Sequence, residues 1–193
     1  EVSPGTPAPT TSSPAGSTPR TSVGPDGRPF VIEEIAELDE PWAMSFLPDG
    51  RALITGRGGE LTLRSPEGEL VEVSGVPAVV HAGQGGLGDV VPAPDFESTQ
   101  TVYLSWAEAG SGGSGAAVGR ATLTADGDSA RLGDLTVIWR QEPKVSGNGH
   151  YAHRLAFSPD GKQLFVSSGD RQKMDPAQDL GTNLGKIVRL DPD

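Results

Sequence analysis

Cysteine is absent from the sequence, and basic residues and long apolar runs are scarce. Without cysteine the chain has no disulfide bond and no thiolate ligand for a metal. Only 15 residues are basic against 26 acidic ones, and the net charge of −11 disfavours partners with a phosphate backbone or an anionic lipid surface. No apolar run reaches the roughly 18 residues of a membrane-spanning helix. We therefore expect no nucleic-acid partner and no membrane-spanning segment.

Large apolar side chains are nearly missing from residues 1–29, which are dominated by Pro, Ser, Thr and Gly. A segment of this composition cannot bury enough apolar surface to offset the entropy lost on ordering. We predict a disordered linker over residues 1–29 and a folded domain over residues 30–193. The linker is either the tether of an exported domain or an arbitrary flexible terminus.

Long amphipathic helices are not predicted in the folded part, where short apolar or alternating runs are separated by turn residues. Three segments resemble one another, each with an apolar strand, a Pro-Asp turn and a second strand. The Pro-Asp pairs begin at Pro48, Pro94 and Pro159, which are 46 and 65 residues apart. The segments are PWAMSFLPDGRALIT, GLGDVVPAPDFESTQTVYLSW and HRLAFSPDGKQLFVSSGD.

A recurrence of about 40–50 residues with several short strands per unit is typical of an all-β fold of the β-propeller kind. The larger spacing then contains an insertion, part of which we place in the Gly- and Ser-rich stretch at residues 109–119. At 46 residues a unit, the folded part holds three to four blades, and propellers close with about four to eight. Because the sequence stops in RLDPD, where another strand is expected, we predict the front part of a longer propeller.

The order of five segments resembles the soluble glucose/sorbosone dehydrogenases, also called aldose sugar dehydrogenases, which depend on pyrroloquinoline quinone (PQQ). The resemblance runs from Pro41 to Asp193. It implies a six-bladed propeller, with PQQ and calcium near its axis, that oxidises the anomeric hydroxyl of aldoses to lactones. The segments are PWAMSFLPDGRALIT, GVPAVVHAGQGGLGDVVPAPDF, VYLSWAE, VIWRQEPKVSGNGHYAHRLAFSPDGKQLFVSSGD and AQDLGTNLGKIVRLDPD.

The resemblance assigns roles to three residues. His150 matches the catalytic base that opens the family's G-x-G-H-x-x-x-R-L segment, and Arg154 matches the arginine of the same segment, which we assign to the catalytic site. Gln84 matches the glutamine of the family's G-Q-x-G-L loop, which lies by the quinone and the substrate. The calcium ligands are expected beyond residue 193, so we assign no metal ligand within this sequence and expect the chain alone to be inactive.

The chemistry supplies separate reasons for two of these residue types. Oxidising an alcohol by hydride transfer requires removal of the hydroxyl proton, and a neutral imidazole with an ordinary pKa near 6.5 suits that task. Gln84 lies between two glycines, and its amide can both donate to and accept from a carbonyl-bearing ring. The cofactor carries the redox chemistry while the protein orients it.

Other residues have less specific interpretations. His153 is predicted to be structural, because positions three apart in an extended segment face opposite sides. A zinc site is disfavoured, because no further ligand pattern accompanies the His-x-x-His pair. His81 could line the same mouth as Gln84, whereas Asp170 and Arg171 fit an axial site and a turn cap equally well. Trp42 and Trp106 are predicted to lie in the blade core.

Two other function classes remain open beside a sugar dehydrogenase that uses an external electron acceptor. One is a non-enzymatic propeller that binds a protein or glycan, since a fold does not determine a function. The other is a calcium-dependent hydrolase of the six-bladed lactonase kind. The linker and the family resemblance lead us to expect an extracytoplasmic location, either secreted, periplasmic or lipid-anchored.

Overall fold

The computed structural model describes residues 19–192, which divide between Asp39 and Glu40 into two compact units. An all-β fold was predicted, and the described chain is mostly β with few helices. Within this range no helix has the length and apolar content needed to cross a membrane. The helical segments are α1 (Phe96–Thr99) and a 3-10 turn (Asp175–Gln178). The strands are β1 (Arg20–Val23), β2 (Pro29–Ile32), β3 (Pro41–Phe46), β4 (Ala52–Gly56), β5 (Leu61–Arg64), β6 (Leu70–Ser74), β7 (Leu87–Pro92), β8 (Thr101–Gly110), β9 (Gly113–Asp126), β10 (Ser129–Arg140), β11 (Ala152–Phe157), β12 (Leu164–Ser168) and β13 (Lys186–Leu190).

The first unit contains a two-stranded antiparallel hairpin formed by β1 and β2. Its turn is closed by a hydrogen bond from Gly24 N to Arg28 O at 2.9 Å, and the Asp26 carboxylate accepts from Arg28 N at 3.2 Å. This hairpin spans the predicted boundary between residues 29 and 30, and the two compact units divide between Asp39 and Glu40. The division into a linker and a folded domain stays a prediction. Residues 1–18 of the predicted linker lie outside the described residues.

The second unit is built from antiparallel meanders. An eight-stranded sheet has the order β3-β4-β5-β6-β10-β9-β8-β7, and a separate three-stranded sheet has the order β11-β12-β13. The large sheet is two four-stranded meanders joined where β6 and β10 pair in parallel over only two residue pairs. Four-stranded antiparallel meanders are the units from which β-propellers are built.

The count of units lies at the lower end of the predicted three to four blades. The described residues contain two four-stranded meanders and one three-stranded meander. The 46-residue period came from the first spacing, but the second meander is longer because β8, β9 and β10 have 10, 14 and 12 residues. The described chain therefore holds three units and not four.

The predicted Pro-Asp turns lie where the sequence pattern placed them, between the first and second strand of each meander. Asp49 accepts a hydrogen bond from Arg51 N at 3.1 Å, and Asp160 accepts one from Lys162 N at 3.2 Å. The glycine after each of these aspartates has a φ of 73° to 87°, a conformation that disfavours residues with a Cβ atom. Local turn chemistry accounts for these corners of the fold.

The Gly- and Ser-rich stretch at residues 109–119, in which we placed part of an insertion, lies in the longer second meander and is not a loop. It forms the tip of the hairpin between β8 and β9 and the first half of β9, and residues 114–119 are buried. A Cβ atom on Gly119 would lie 2.9 Å from Thr136 O and 3.0 Å from the Trp106 ring. Small residues are required here because neighbouring strands and side chains pack closely, not because the backbone is flexible.

Two apolar clusters hold the meanders together. The first lies between the first and second meanders and includes Leu53, Leu104 and Trp106. The second lies between the second and third meanders and includes Tyr103 and Leu155. The first strands of the three meanders lie side by side, with β7 between β3 and β11. The loops that lead into β7 and β11 are thereby placed next to each other.

A buried hydroxyl at the start of the first meander gives a stability prediction. Thr55 has no solvent exposure, and its Oγ1 accepts from Ala43 N at 3.0 Å beside an irregularity in the pairing of β3 and β4. Replacing Thr55 by valine leaves that buried N–H without its partner, so we expect the free energy of unfolding to fall by about 1–3 kcal/mol.

The measurement is chemical denaturation of the protein followed by circular dichroism. Thr124→Val is the matched control, because Thr124 is exposed on β9. It should change the free energy of unfolding by no more than about 0.5 kcal/mol. Equal effects of the two substitutions would contradict a role for the Thr55 hydroxyl.

Candidate active site

The loop that carries His150 is held to the loop that carries Gln84. Gln84 Oε1 accepts a hydrogen bond from His150 N at 2.7 Å, and Gln84 N donates to Asn148 O at 2.7 Å. Gly83 has a φ of 59°, and a Cβ atom there would lie 2.6 Å from Asn148 O. The structure therefore brings together two of the predicted site residues, 66 positions apart, and a glycine is needed where the loops touch.

Asp170 joins the candidate base from the end of β12. Its Oδ1 lies 2.7 Å from His150 Nδ1 and also accepts from Gln172 N at 3.1 Å, while its Oδ2 accepts from Met174 N at 3.2 Å. The hydrogen bond with His150, together with these backbone N–H groups, lowers the pKa of Asp170. An ionised carboxylate only accepts hydrogen bonds, so a neutral His150 imidazole donates through Nδ1 and has its acceptor nitrogen at Nε2.

His150 is accessible as well as oriented. Its side chain is 51% exposed, and it sits in a left-handed backbone conformation with a φ of 50°. A Cβ atom on Gly169 would overlap His150 O, so the chain at residue 169 must be glycine for this loop to close on β12. The imidazole thus has one nitrogen fixed by a carboxylate and the other available to a substrate, which is the arrangement of a general base.

Arg154 lies apart from this pair. Its guanidinium stacks over the Trp42 ring at 4.5 Å from the ring centroid and lies 3.4 Å from Asp89 Oδ1. Burial raises the pKa of Asp89 in spite of hydrogen bonds from Leu155 N and Arg154. In residues 19–192 no hydrogen bond or ring contact joins Arg154 to His150, and its catalytic role stays a prediction.

Gln84 has a side-chain hydrogen-bond donor that remains available to a ligand. Its Oε1 and its backbone N are both used to hold the His150 loop, while its Nε2 has no partner among the described residues. Because one amide can both accept and donate, this does not conflict with the predicted contact to a cofactor. That contact itself stays a prediction.

His153 points into the protein. It is 3% exposed, stacks on Tyr151 at a centroid distance of 5.3 Å and meets the edge of Trp42 at 6.0 Å. Burial lowers the pKa of His153 to about 4, with a further contribution from the positive charge of Arg171. The separation from His150 was predicted, but its cause differs: the backbone has positive φ angles at residues 150, 152 and 153 and is not extended.

The structure agrees with the prediction for one of the two tryptophans and not with that for the other, and it places His81 away from His150. Trp106 is 2% exposed and lies in the core as predicted, whereas Trp42 is only partly buried and lies beside Arg154. His81 Nε2 lies 2.7 Å from Glu40 Oε2 and has no contact with His150 in the described part of the chain. Nor does any grouping of three or more potential metal ligands occur in residues 19–192.

The family of the chain follows from comparison with known proteins. The sequence matches the family described as Glucose / Sorbosone dehydrogenase over residues 38–193. The chain belongs to that family. The match covers the whole of the second compact unit, including the loops of His150, Gln84 and Asp170.

Members of this dehydrogenase family resemble the chain in both sequence and structure. Aldose sugar dehydrogenase YliI of Escherichia coli is 45% identical over 158 residues, which is 80% of this chain and 42% of that protein. The apo structure of the soluble aldose sugar dehydrogenase from Escherichia coli has a TM-score of 0.74 at 44% identity and covers 80% of this chain and 45% of its own. The structure of the PQQ-bound aldose sugar dehydrogenase from Streptomyces coelicolor has a TM-score of 0.72 at 26% identity, and the match covers 94% of this chain and 50% of that chain. The chain thus spans about half the length of these family members.

Proposed function

We propose that the full-length protein is a PQQ-dependent aldose dehydrogenase that oxidises the anomeric hydroxyl of sugars to lactones. The observation that carries the proposal is the accessible His150, with Nδ1 bound to Asp170 and its backbone held by Gln84, in a member of this family. An alcohol oxidation needs a group of this kind to take the hydroxyl proton.

The residues of this chain have separate tasks in the proposed reaction. His150 Nε2 accepts the proton of the anomeric hydroxyl as the adjacent C–H bond breaks. Asp170 keeps the proton on Nδ1 and stabilises the imidazolium that results, since it stays ionised close to the ring. Gln84 and the glycines around His150 fix the position of the base relative to the substrate.

The described residues fit part of a quinone site. PQQ is an anionic ring with carbonyl and carboxylate oxygens, and when bound it supplies the hydride acceptor. The Gln84 amide has a donor without a partner in residues 19–192. The Arg154 side chain is 62% exposed, and its guanidinium stacks on Trp42 and pairs with Asp89. These two side chains would hold oxygens of the cofactor. For calcium the described residues offer no cluster of ligands, and no step is assigned to it.

The exposed faces of the outer meanders support a longer propeller in the intact protein. Met44 and Phe46 of β3 are 53% and 66% exposed, and Ile187 of β13 is 71% exposed. The relatives contain about as much chain again as this sequence covers. We propose that further blades cover both faces in a six-bladed ring, and that the protein acts outside the cytoplasm, which cell fractionation would test.

Reconstitution of the full-length protein tests the proposed activity. We expect PQQ, added with calcium, to change its absorption spectrum on binding, and we expect aldoses to reduce an artificial electron acceptor only after this addition. The lactone product is identified by mass spectrometry. Absence of both the spectral change and the reduction would contradict the proposal in favour of a binding module, whereas PQQ-independent hydrolysis of lactones would indicate a lactonase.

A further inference from the structure

Arg171 is a buried cation with an unusual set of partners. The residue is 1% exposed, and its guanidinium donates from Nε to Gly149 O at 2.9 Å. The two terminal nitrogens donate to Ser114 O and to Gly147 O. In residues 19–192 it forms no ion pair with a carboxylate. Burial of a charge without a counter-charge is costly, so the carbonyl contacts must compensate for it.

The carbonyls that Arg171 binds belong to the loop of the candidate base. Gly147 and Gly149 lie three and one residues before His150, and the backbone N of Arg171 also donates to His150 O at 3.2 Å. Arg171 therefore holds the carbonyl side of the loop at three points. Gln84 holds the N–H side of the same loop at one point, by accepting a hydrogen bond from His150 N.

The guanidinium is itself fixed to the body of the second meander. It stacks on the Tyr151 ring at 3.6 Å from the centroid, and Tyr151 Oη lies 2.6 Å from Ser114 Oγ at the start of β9. Planar guanidinium groups suit such stacking combined with several donated hydrogen bonds, which a lysine ammonium cannot reproduce. Arg171 thus connects the His150 loop to a rigid strand.

The local backbone needs such a connection. Non-glycine residues with a left-handed φ cluster on both sides of the candidate site, each costing of the order of 1 kcal/mol or more. Conformations of this kind persist only where surrounding contacts hold them. The residues concerned are His150, Ala152, His153, Arg171, Gln172 and Met174.

We propose that Arg171 is a positioning residue for His150: by holding the carbonyls of the loop, it keeps the imidazole against Asp170 in the orientation that the reaction requires. This inference rests on the proposed function for its catalytic consequence. Its structural content, the state of the hydrogen bond between His150 and Asp170, does not depend on activity.

The test uses Arg171→Lys in the full-length protein, with Arg131→Lys as the matched control, because Arg131 is exposed on β10. Two quantities are measured. One is the downfield proton resonance of His150 Nδ1–H, identified by its loss in His150→Gln. The other is the kinetics of aldose oxidation with PQQ. We expect Arg171→Lys to broaden or shift that resonance and to lower kcat about 10- to 100-fold with little change in KM, as small misplacements of a base do.

Arg131→Lys should leave both measurements unchanged. An Arg171→Lys protein with the wild-type resonance and wild-type kcat would overturn the inference. If the wild-type protein shows the resonance but oxidises no aldose, the proposed function fails while the positioning role is still tested by the resonance. If Arg171→Lys does not fold, the hydrogen exchange rate of Arg171 Nε–H is measured in the wild-type protein. Slow exchange supports the hydrogen bond to Gly149 O, and fast exchange overturns the inference.

Discussion

Replacing His150 by glutamine in the full-length protein is expected to lower kcat for aldose oxidation by about 10²- to 10⁴-fold. Glutamine can fill much of the space of the imidazole, but it has no nitrogen that takes up a proton near neutral pH. The exposed Nε2 is the atom that is lost, while Gln84 still accepts from the backbone N of residue 150. The measurement is steady-state turnover with PQQ, calcium and an artificial acceptor.

Two controls make this result specific to the base. Binding of PQQ by the variant, followed by absorption, should match that of the wild type, because the change removes a proton acceptor and leaves the loop in place. Asp170→Asn should retain the imidazole but lose the ionised partner of Nδ1, so kcat should fall while PQQ binding is unchanged. Unchanged turnover in His150→Gln would contradict the assigned role.

Acid is expected to destabilise the protein through His153. The pKa of His153 is about 4 in the folded protein because the ring is buried beside Arg171, and a histidine in an unfolded chain has a pKa near 6.5. Between these two values the unfolded chain binds a proton that the folded protein does not, so the free energy of unfolding falls as the pH falls. The loss amounts to about 3 kcal/mol between pH 6.5 and pH 4.

His153→Phe tests this effect, because phenylalanine keeps an aromatic ring between Tyr151 and Trp42 but does not titrate. The free energy of unfolding is measured by urea denaturation at pH 7 and pH 4. The variant should lose about 3 kcal/mol less than the wild type over this interval, whereas His81→Phe, at an exposed position, should behave as the wild type does.

The carboxylates do not obscure that comparison. Asp49, Glu108, Asp160 and Asp170 have lowered pKa values, so the stability they contribute is lost as the pH falls through and below the ordinary carboxyl range, and the part lost by pH 4 is common to both proteins. Burial raises the pKa of Asp89, which therefore acts in the opposite direction, but it is present in both proteins and cancels. An equal loss of stability in His153→Phe and the wild type would contradict the buried-histidine explanation.

Several features were accessible from the sequence because they depend on neighbours along the chain. The Pro-Asp turns at Pro48, Pro94 and Pro159 lie at the predicted corners, and the apolar runs beside them are strands. The order of five segments, one of them around His150, pointed to the family, which the comparison confirmed. Turn chemistry and strand alternation act over a few residues, so they are visible without a structure.

Other features were missed or left undecided because they depend on contacts between distant parts of the chain. Asp170 had two equal interpretations until its carboxylate was found at His150 Nδ1. The glycines of residues 109–119 suggest a loop in sequence, but close packing against Trp106 and Thr136 makes them strand residues. A buried arginine such as Arg171 has no sequence signal of its own, since arginines are mostly exposed.

The sequence by itself determined the strand-rich meanders, their turns and the candidate base, because each rests on local composition or on a motif of adjacent residues. It also determined the family, through the order of five such motifs along the chain. Only the tertiary structure decided how that base is held. Gln84 reaches His150 across 66 positions and Arg171 reaches Ser114 across 57. Such pairs meet because the strands and loops that carry them lie side by side in the folded chain, and packing of this kind is set by the whole molecule.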